Sequence, residues 1–163
     1  MARRWSNCAA DLILVVCSAA ICQDMAIASE CYAIKDPDDR QACLAETKRQ
    51  PSYCYSIRDP DQRSVCLAAT IGEPARCYSV EDPDERSACL GELKGEASRC
   101  YSIRSPDRRD LCLAVTKGDA ARCYSINDPD DRNACLARVT GERSHCYGIR
   151  SPDQRNACLA GRE

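Results

Sequence analysis

Twelve cysteines of this chain lie on a 23-residue ruler. They fall at Cys31, Cys43, Cys54, Cys66, Cys77, Cys89, Cys100, Cys112, Cys123, Cys135, Cys146 and Cys158. The gaps alternate strictly, eleven residues and then ten, and the unit C-Y-x-(I/V)-x-(D/S)-P-D-x-R-x-x-C-L recurs six times around them. Self-similarity at a fixed short period is the mark of a repeat architecture, in which each unit packs mainly on its neighbours. A single large core is not expected: aromatic residues make up 5% of the 163, Phe is absent, and Trp5 is the lone Trp. Small cysteine-dense chains of this kind draw stability from cross-links instead.

The first 28 residues read as a secretory signal peptide. Arg3 and Arg4 form a positive start, Leu12 to Cys22 a short apolar run interrupted only in front by Asp11, and Ala26-Ile27-Ala28 a small-residue cleavage pattern. The run is too short to span a bilayer. Val16 and Ile21 before Cys17 and Cys22 do not suit a lipid anchor. Cleavage after Ala28 would remove Cys8, Cys17 and Cys22, turning fifteen cysteines into an even twelve. The expected organisation is a signal peptide over 1–28 and a cysteine-rich helical repeat domain over 29–163, with units starting at 31, 54, 77, 100, 123 and 146. The expected location is exported, periplasmic or extracellular, with no membrane association of the mature form.

Each unit reads as two helices. Asp36, Asp59, Asp82, Ser105, Asp128 and Ser151 each precede a proline. An Asp or Ser N-cap followed by Pro at the first helical position is a strong helix start, and the acid after the proline (Asp61 in the second unit) complements the helix dipole. Three turns on, Gly72, Gly95, Gly118 and Gly141 supply left-handed stops. A shorter helix of about two turns follows, opened by Glu73, Glu96, Asp119 or Glu142 and carrying the next Cys-Tyr-x-Ile. Arg63, Cys66, Leu67 and Thr70 share a stripe of the long helix, Cys54 and Ile57 share a face of the short one, and Ala68 and Ala75 permit close approach. The expected fold is all-α: an α-solenoid of six disulfide-stapled helical hairpins, a linear stack. Neither end of the stack carries a distinct polar cap, so the ends are expected to self-stack or to be covered by a partner.

Two regular pairings of the cysteines exist. Bridging the eleven-residue gap joins Cys31–Cys43 and its five counterparts and leaves no thiol over. Bridging the ten-residue gap strands Cys31 and Cys158. The first is preferred.

Two further ladders follow the same ruler. Arg40, Arg63, Arg86, Arg109, Arg132 and Arg155 recur in step with the cap acids. The expectation is that their guanidinium groups pair with those acids or with helix-end carbonyls; a polyanion groove is the alternative. Tyr32, Tyr55, Tyr78, Tyr101, Tyr124 and Tyr147 are expected to pack neighbouring repeats together, with an interaction stripe for glycan or peptide as the alternative. Lys35, Arg58, Glu81, Arg104, Asn127 and Arg150 vary between units, so a recognition surface belongs there.

Composition argues against several functions. The net charge of −2 leaves no basic footprint for nucleic acid. No two of the twelve cysteines form a close C-x-x-C pair, the region after residue 28 lacks Met, and His145 is the single His, so no metal site or other cofactor is expected. His145 occupies the slot of Tyr53, Arg76, Arg99 and Arg122, and no catalytic set assembles around it; the chain is not expected to be an enzyme. Soft-metal (copper or zinc) binding and thiol–disulfide redox chemistry remain as alternatives. The unit resembles the tandem C-x-x-I-x-D-x-x-x-R-x-x-C repeats of uncharacterised exported bacterial and archaeal proteins, over residues 31–158. That resemblance implies a secreted helical repeat fold and no activity. The leading expectation is a protein-interaction or structural module with an unidentified protein partner or end-to-end self-association.

Overall fold

The computed structural model describes residues 29–161; the expected signal peptide and cleavage site precede them and lie outside the described residues. Six long helices start at the six prolines: α1 (Pro37–Lys48), α2 (Pro60–Ile71), α3 (Pro83–Lys94), α4 (Pro106–Lys117), α5 (Pro129–Thr140) and α6 (Pro152–Ala160). Each is capped by the side chain before its proline. Asp59 accepts from the Gln62 amide at 2.7 Å and Asp82 from Glu85 at 2.8 Å, whereas the Ser105 and Ser151 hydroxyls sit farther off, at 3.5 and 3.4 Å from the Arg108 and Gln154 amides. At the other end, Gly72, Gly95, Gly118 and Gly141 take positive φ. Arg49 fills the same slot after α1 with φ 51°, the one described non-glycine residue in the left-handed region.

The connecting helices are tighter than the α-helices anticipated for them. Pro51–Ser56, Pro74–Ser79, Ala120–Ser125 and Arg143–Gly148 are 3-10 helices of six residues, whereas Ala97–Cys100 and, in the first unit, residues 29–32 are α-helical. Six residues at three per turn still give two turns. The extra rise lets a short connector bridge two helices: Pro51–Ser56 packs on both α1 and α2, and the later connectors repeat this. The result is an inner layer of long helices and an outer layer of short ones. No strand occurs among the described residues.

All six bridges span the eleven-residue gap: Cys31–Cys43, Cys54–Cys66, Cys77–Cys89, Cys100–Cys112, Cys123–Cys135 and Cys146–Cys158. Each staples a short helix to the long helix after it. The interior is correspondingly small and repeated. In the second unit Cys54, Cys66, Ile57 and Leu67 are buried together with Ala45, a residue of the unit before. That small position recurs as Ala68, Gly91, Ala114, Ala137 and Ala160. Little more than a methyl fits, because a Cβ added at Gly91 would lie 3.1 Å from both Cys100 Sγ and Cys112 Sγ.

Neighbouring units are joined by the aspartate after each proline, an acid whose sequence role looked local. Its carboxylate accepts two backbone amides of the next unit's cap segment. Asp61 takes those of Glu81 and Asp82, both at 2.8 Å, and Asp130 those of Arg150 and Ser151, both at 2.9 Å. Asp38, Asp84 and Asp107 do the same at 3.1 to 3.4 Å.

The sixth member of this series closes the molecule. Asp153 Oδ2 accepts the Asp36 amide at 3.0 Å, across 117 residues of sequence. Ala160 joins the cluster of Cys31, Ile34, Cys43 and Leu44, just as Ala45 joins that of the second unit, and α6 packs on α1. The expected linear stack is therefore a ring, and the uncapped ends have a physical explanation: each end covers the other. The turn between successive units carries six of them through a full circle. The seam is the least well made joint. The second Asp153 oxygen is buried without a full hydrogen bond, although the neighbouring Lys35 amide, with that of Asp36, holds the carboxyl below its usual pKa.

Two predictions follow from these joints. In the chain-entropy picture a loop of this length contributes about 3 kcal/mol per bridge. Replacing Cys54 and Cys66 by Ala is expected to lower stability by about that amount in denaturant titration, and full reduction to abolish the cooperative transition. The carboxyls of Asp61, Asp84 and Asp130 are held low chiefly by the amides they accept. For Asp38 burial pushes upward, and the Asp59 and Arg58 amides with the Arg58 guanidinium outweigh it. A depressed folded pKa stabilises above the unfolded value and ceases to do so as pH falls through the folded one. The melting temperature is thus expected to hold from neutrality to about pH 5 and to fall steeply below about pH 4. Asp61→Asn should lower the neutral-pH value and flatten the acid limb.

Candidate functional site

Every described cysteine sulfur is committed to a bridge, so no free thiol is present among the described residues. The arginine ladder is internal to each unit. Each guanidinium donates to the carbonyl six residues earlier: Arg40 to Ile34, Arg63 to Ile57, Arg86 to Val80, Arg109 to Ile103, Arg132 to Ile126 and Arg155 to Ile149, at 2.9 to 3.2 Å. Those carbonyls end the cysteine-bearing segment just before the cap, where no helical amide reaches them. The arginine locks the bend between short and long helix. Its donors face inward, which does not build a polyanion groove.

The tyrosine ladder is placed otherwise than packing would require. Tyr32, Tyr55, Tyr78, Tyr101, Tyr124 and Tyr147 are 56–71% exposed, and with Ile71 they are the exposed large apolar side chains of the described residues. The inter-unit contact expected of them is made instead by the small residues and the aspartates. Three of the rings are held by the lysine ending their own long helix. Lys48 Nζ lies 2.9 Å from Tyr32 Oη, Lys94 3.4 Å from Tyr78 Oη and Lys117 3.1 Å from Tyr101 Oη. Each ammonium also stands 5.3 to 5.6 Å from the ring centre, a cation–π distance. These contacts raise the pKa of Lys48, through Tyr32 and then Tyr53, and lower that of Tyr101, through Lys117. The rings form a crown around one side of the ring, near the C-terminal ends of the long helices.

Of the variable positions, Arg58 and Arg104 extend outward, with side chains 73% and 75% exposed, while leaning on Asp38 and Asp84 at 3.4 Å. His145 lies 3.5 Å from Glu142, the same i,i+3 tie that Arg76 and Arg99 make to Glu73 and Glu96.

Ring closure creates a feature that no single unit contains: a lumen between the six parallel long helices. Its lining falls in tiers, one residue from each helix. The first tier is Asp39, Gln62, Glu85, Arg108, Asp131 and Gln154. It is tied pairwise, Gln62 to Asp39 at 2.7 Å, Arg108 to Glu85 at 2.9 Å and Gln154 to Asp131 at 2.7 Å. One turn on come Ala42, Val65, Ala88, Leu111, Ala134 and Ala157, and a further turn on Glu46, Ala69, Glu92, Val115, Arg138 and Gly161. Arg138 reaches Glu92, two units away, at 2.7 Å, so the lumen is narrow enough for side chains to meet across it. Long charged residues in the third tier sit on odd units and smaller uncharged ones on even units. The alternation was visible in the sequence as a 46-residue super-period. It carries meaning only once the helices are known to surround an axis.

Among the described residues no three His, Cys, Asp or Glu side chains converge as a metal site, and no helix is long and apolar enough to cross a membrane. Comparison with family models, curated proteins and solved structures returns no match to this chain. The fold is a closed ring of disulfide-stapled helical hairpins.

Because the Lys117 ammonium stabilises its phenolate, Tyr101 is expected to ionise below the ordinary tyrosine range. Alkaline titration at the tyrosinate absorbance should show an early component that Lys117→Met removes.

Proposed function

We propose that this protein is an exported interaction module, a rigid ring that presents its tyrosine crown and the outward linker residues to a protein partner. The observation that carries this reading is the exposure of all six ladder tyrosines, 56–71%, with Ile71 the one other exposed large apolar side chain among the described residues. Tyrosine offers a large apolar face and a polar tip with few rotors to freeze, which suits it to the centre of interfaces. Lys48, Lys94 and Lys117 pre-set three of the rings, which lowers the ordering cost of docking. The linker residues Lys35, Arg58, Glu81, Arg104, Asn127 and Arg150 flank the cap side of each hairpin and differ from unit to unit, the pattern of a surface that carries specificity. Six intramolecular bridges, with eleven of their twelve cysteines buried, support an oxidising location, periplasmic or extracellular. Of the alternatives, metal storage needs unpaired sulfur and redox exchange needs a bridge open to attack, and no described feature favours either.

The reading is tested in the exporting cell with a photo-crosslinking residue placed singly at Tyr55, Tyr101 and Tyr124. One partner captured from all three crown positions, and lost when the remaining crown tyrosines are replaced by Ser, is the expected result. Capture that is equal from a control position such as Ser98, or absent at every crown position, overturns it.

A further inference from the structure

The lumen has a chemistry that the outer surface does not share. Five carboxylates of the first and third tiers, Asp39, Glu85, Asp131, Glu46 and Glu92, face two guanidinium groups, Arg108 and Arg138. Those two arginines are spoken for by Glu85 at 2.9 Å and Glu92 at 2.7 Å. Asp39 and Asp131 are satisfied only by the neutral amides of Gln62 and Gln154. The Glu46 carboxylate accepts no hydrogen bond among the described residues, while the residue's backbone carbonyl receives the Arg49 amide. Its side chain is solvent-accessible, and the protein packed around the bore raises its pKa by desolvation, with Arg138 pulling down and Glu92 pushing up.

Asp39 and Glu46 belong to one cavity of about 1020 Å³ at the seam between α1 and α6. Seven residues apart, they lie on the same face of α1, separated by two turns or about 10.5 Å. The wall between them is made of small apolar side chains, Ala42 and Ala157, with Ala69 beside Glu46. The cavity is thus anionic at two heights and apolar between. Arg138 also lines it but is engaged by Glu92, and Arg49 lines it from beyond the end of α1.

We propose that this cavity binds a linear aliphatic polyamine, with one ammonium on Glu46, another at Asp39, and the methylene chain against Ala42 and Ala157. The spacing selects an extended cation over a point charge. No three potential metal ligands converge among the described residues, and a single divalent ion cannot neutralise carboxylates about two helical turns apart. The bore selects a thin ligand over a peptide, since side chains two units apart already touch across it.

The test is calorimetry of the oxidised protein with spermidine at constant ionic strength, with Mg2+ as competitor. One-to-one binding is expected, undisturbed by Mg2+. Glu46→Gln should weaken it by about tenfold or more, the scale of one charge-assisted contact. Arg138→Gln should tighten it, because a repelling cation leaves the cavity and Glu92 is freed. Glu96→Gln, on the outer layer and paired with Arg99, should leave it unchanged. Thermal melts and bridge mapping check folding of each variant, and if Glu46→Gln does not fold the Arg138→Gln arm decides. Absence of binding, displacement by Mg2+, or a loss of affinity on Arg138→Gln overturns the proposal.

Discussion

The carboxylate that follows each helix-starting proline holds this molecule together as a whole. Disulfides fix the inside of a hairpin, but they say nothing about how one hairpin sits on the next. That geometry is set where an aspartate at the start of one long helix receives two amides from the segment leading into the following helix. A carboxylate with two oxygens and a pair of adjacent N–H groups have few ways to meet, so the joint is directional. Repeated with the same small residue pressed against the same neighbouring bridge, it rotates each unit equally, and after six the first and last hairpins stand in the same relation as any other pair.

Much of the hairpin was legible beforehand because its determinants are local or arithmetical. The caps at Asp36 through Ser151, the prolines behind them and the glycine stops act within a few residues of themselves. The pairing of Cys31 with Cys43 followed from the need to leave no thiol over. The joint itself was not legible. The partners of Asp61 are backbone amides 20 and 21 residues away, and an amide leaves no trace in the sequence. Closure was hidden for the same reason: a rotation per unit is a property of the joint, and no residue type spells it. The tyrosines misled in the opposite direction. A recurring aromatic suggests a packing element, yet the space between units is too shallow for a ring and admits little beyond the methyl of Ala45 or Ala68.

Division of labour follows from the two layers. The inner helices meet side by side and leave a bore whose lining differs between odd and even units, so the chemistry of the interior has half the symmetry of the framework. The outer connectors carry the tyrosines, which lie outside the joints, and lead into the variable linkers, which give the joints their backbone amides while their side chains differ. The conserved geometry of the framework and the variety on its rim are therefore separable. The cysteines, cap residues and joint aspartates make a ring, while the side chains of the linkers and tyrosines stand on its outside.

The staples also govern how the chain responds to force. Each bridge joins residues 12 apart in a 23-residue period, so about half of every hairpin's contour is withheld from stretching while sulfur stays oxidised. Traction on the two termini meets the seam first, the one junction without a peptide bond across it, and then draws out only the stretches between staples. The oxidised molecule would behave as a short, stiff tether with a soft first give, and reduction would roughly double its reach.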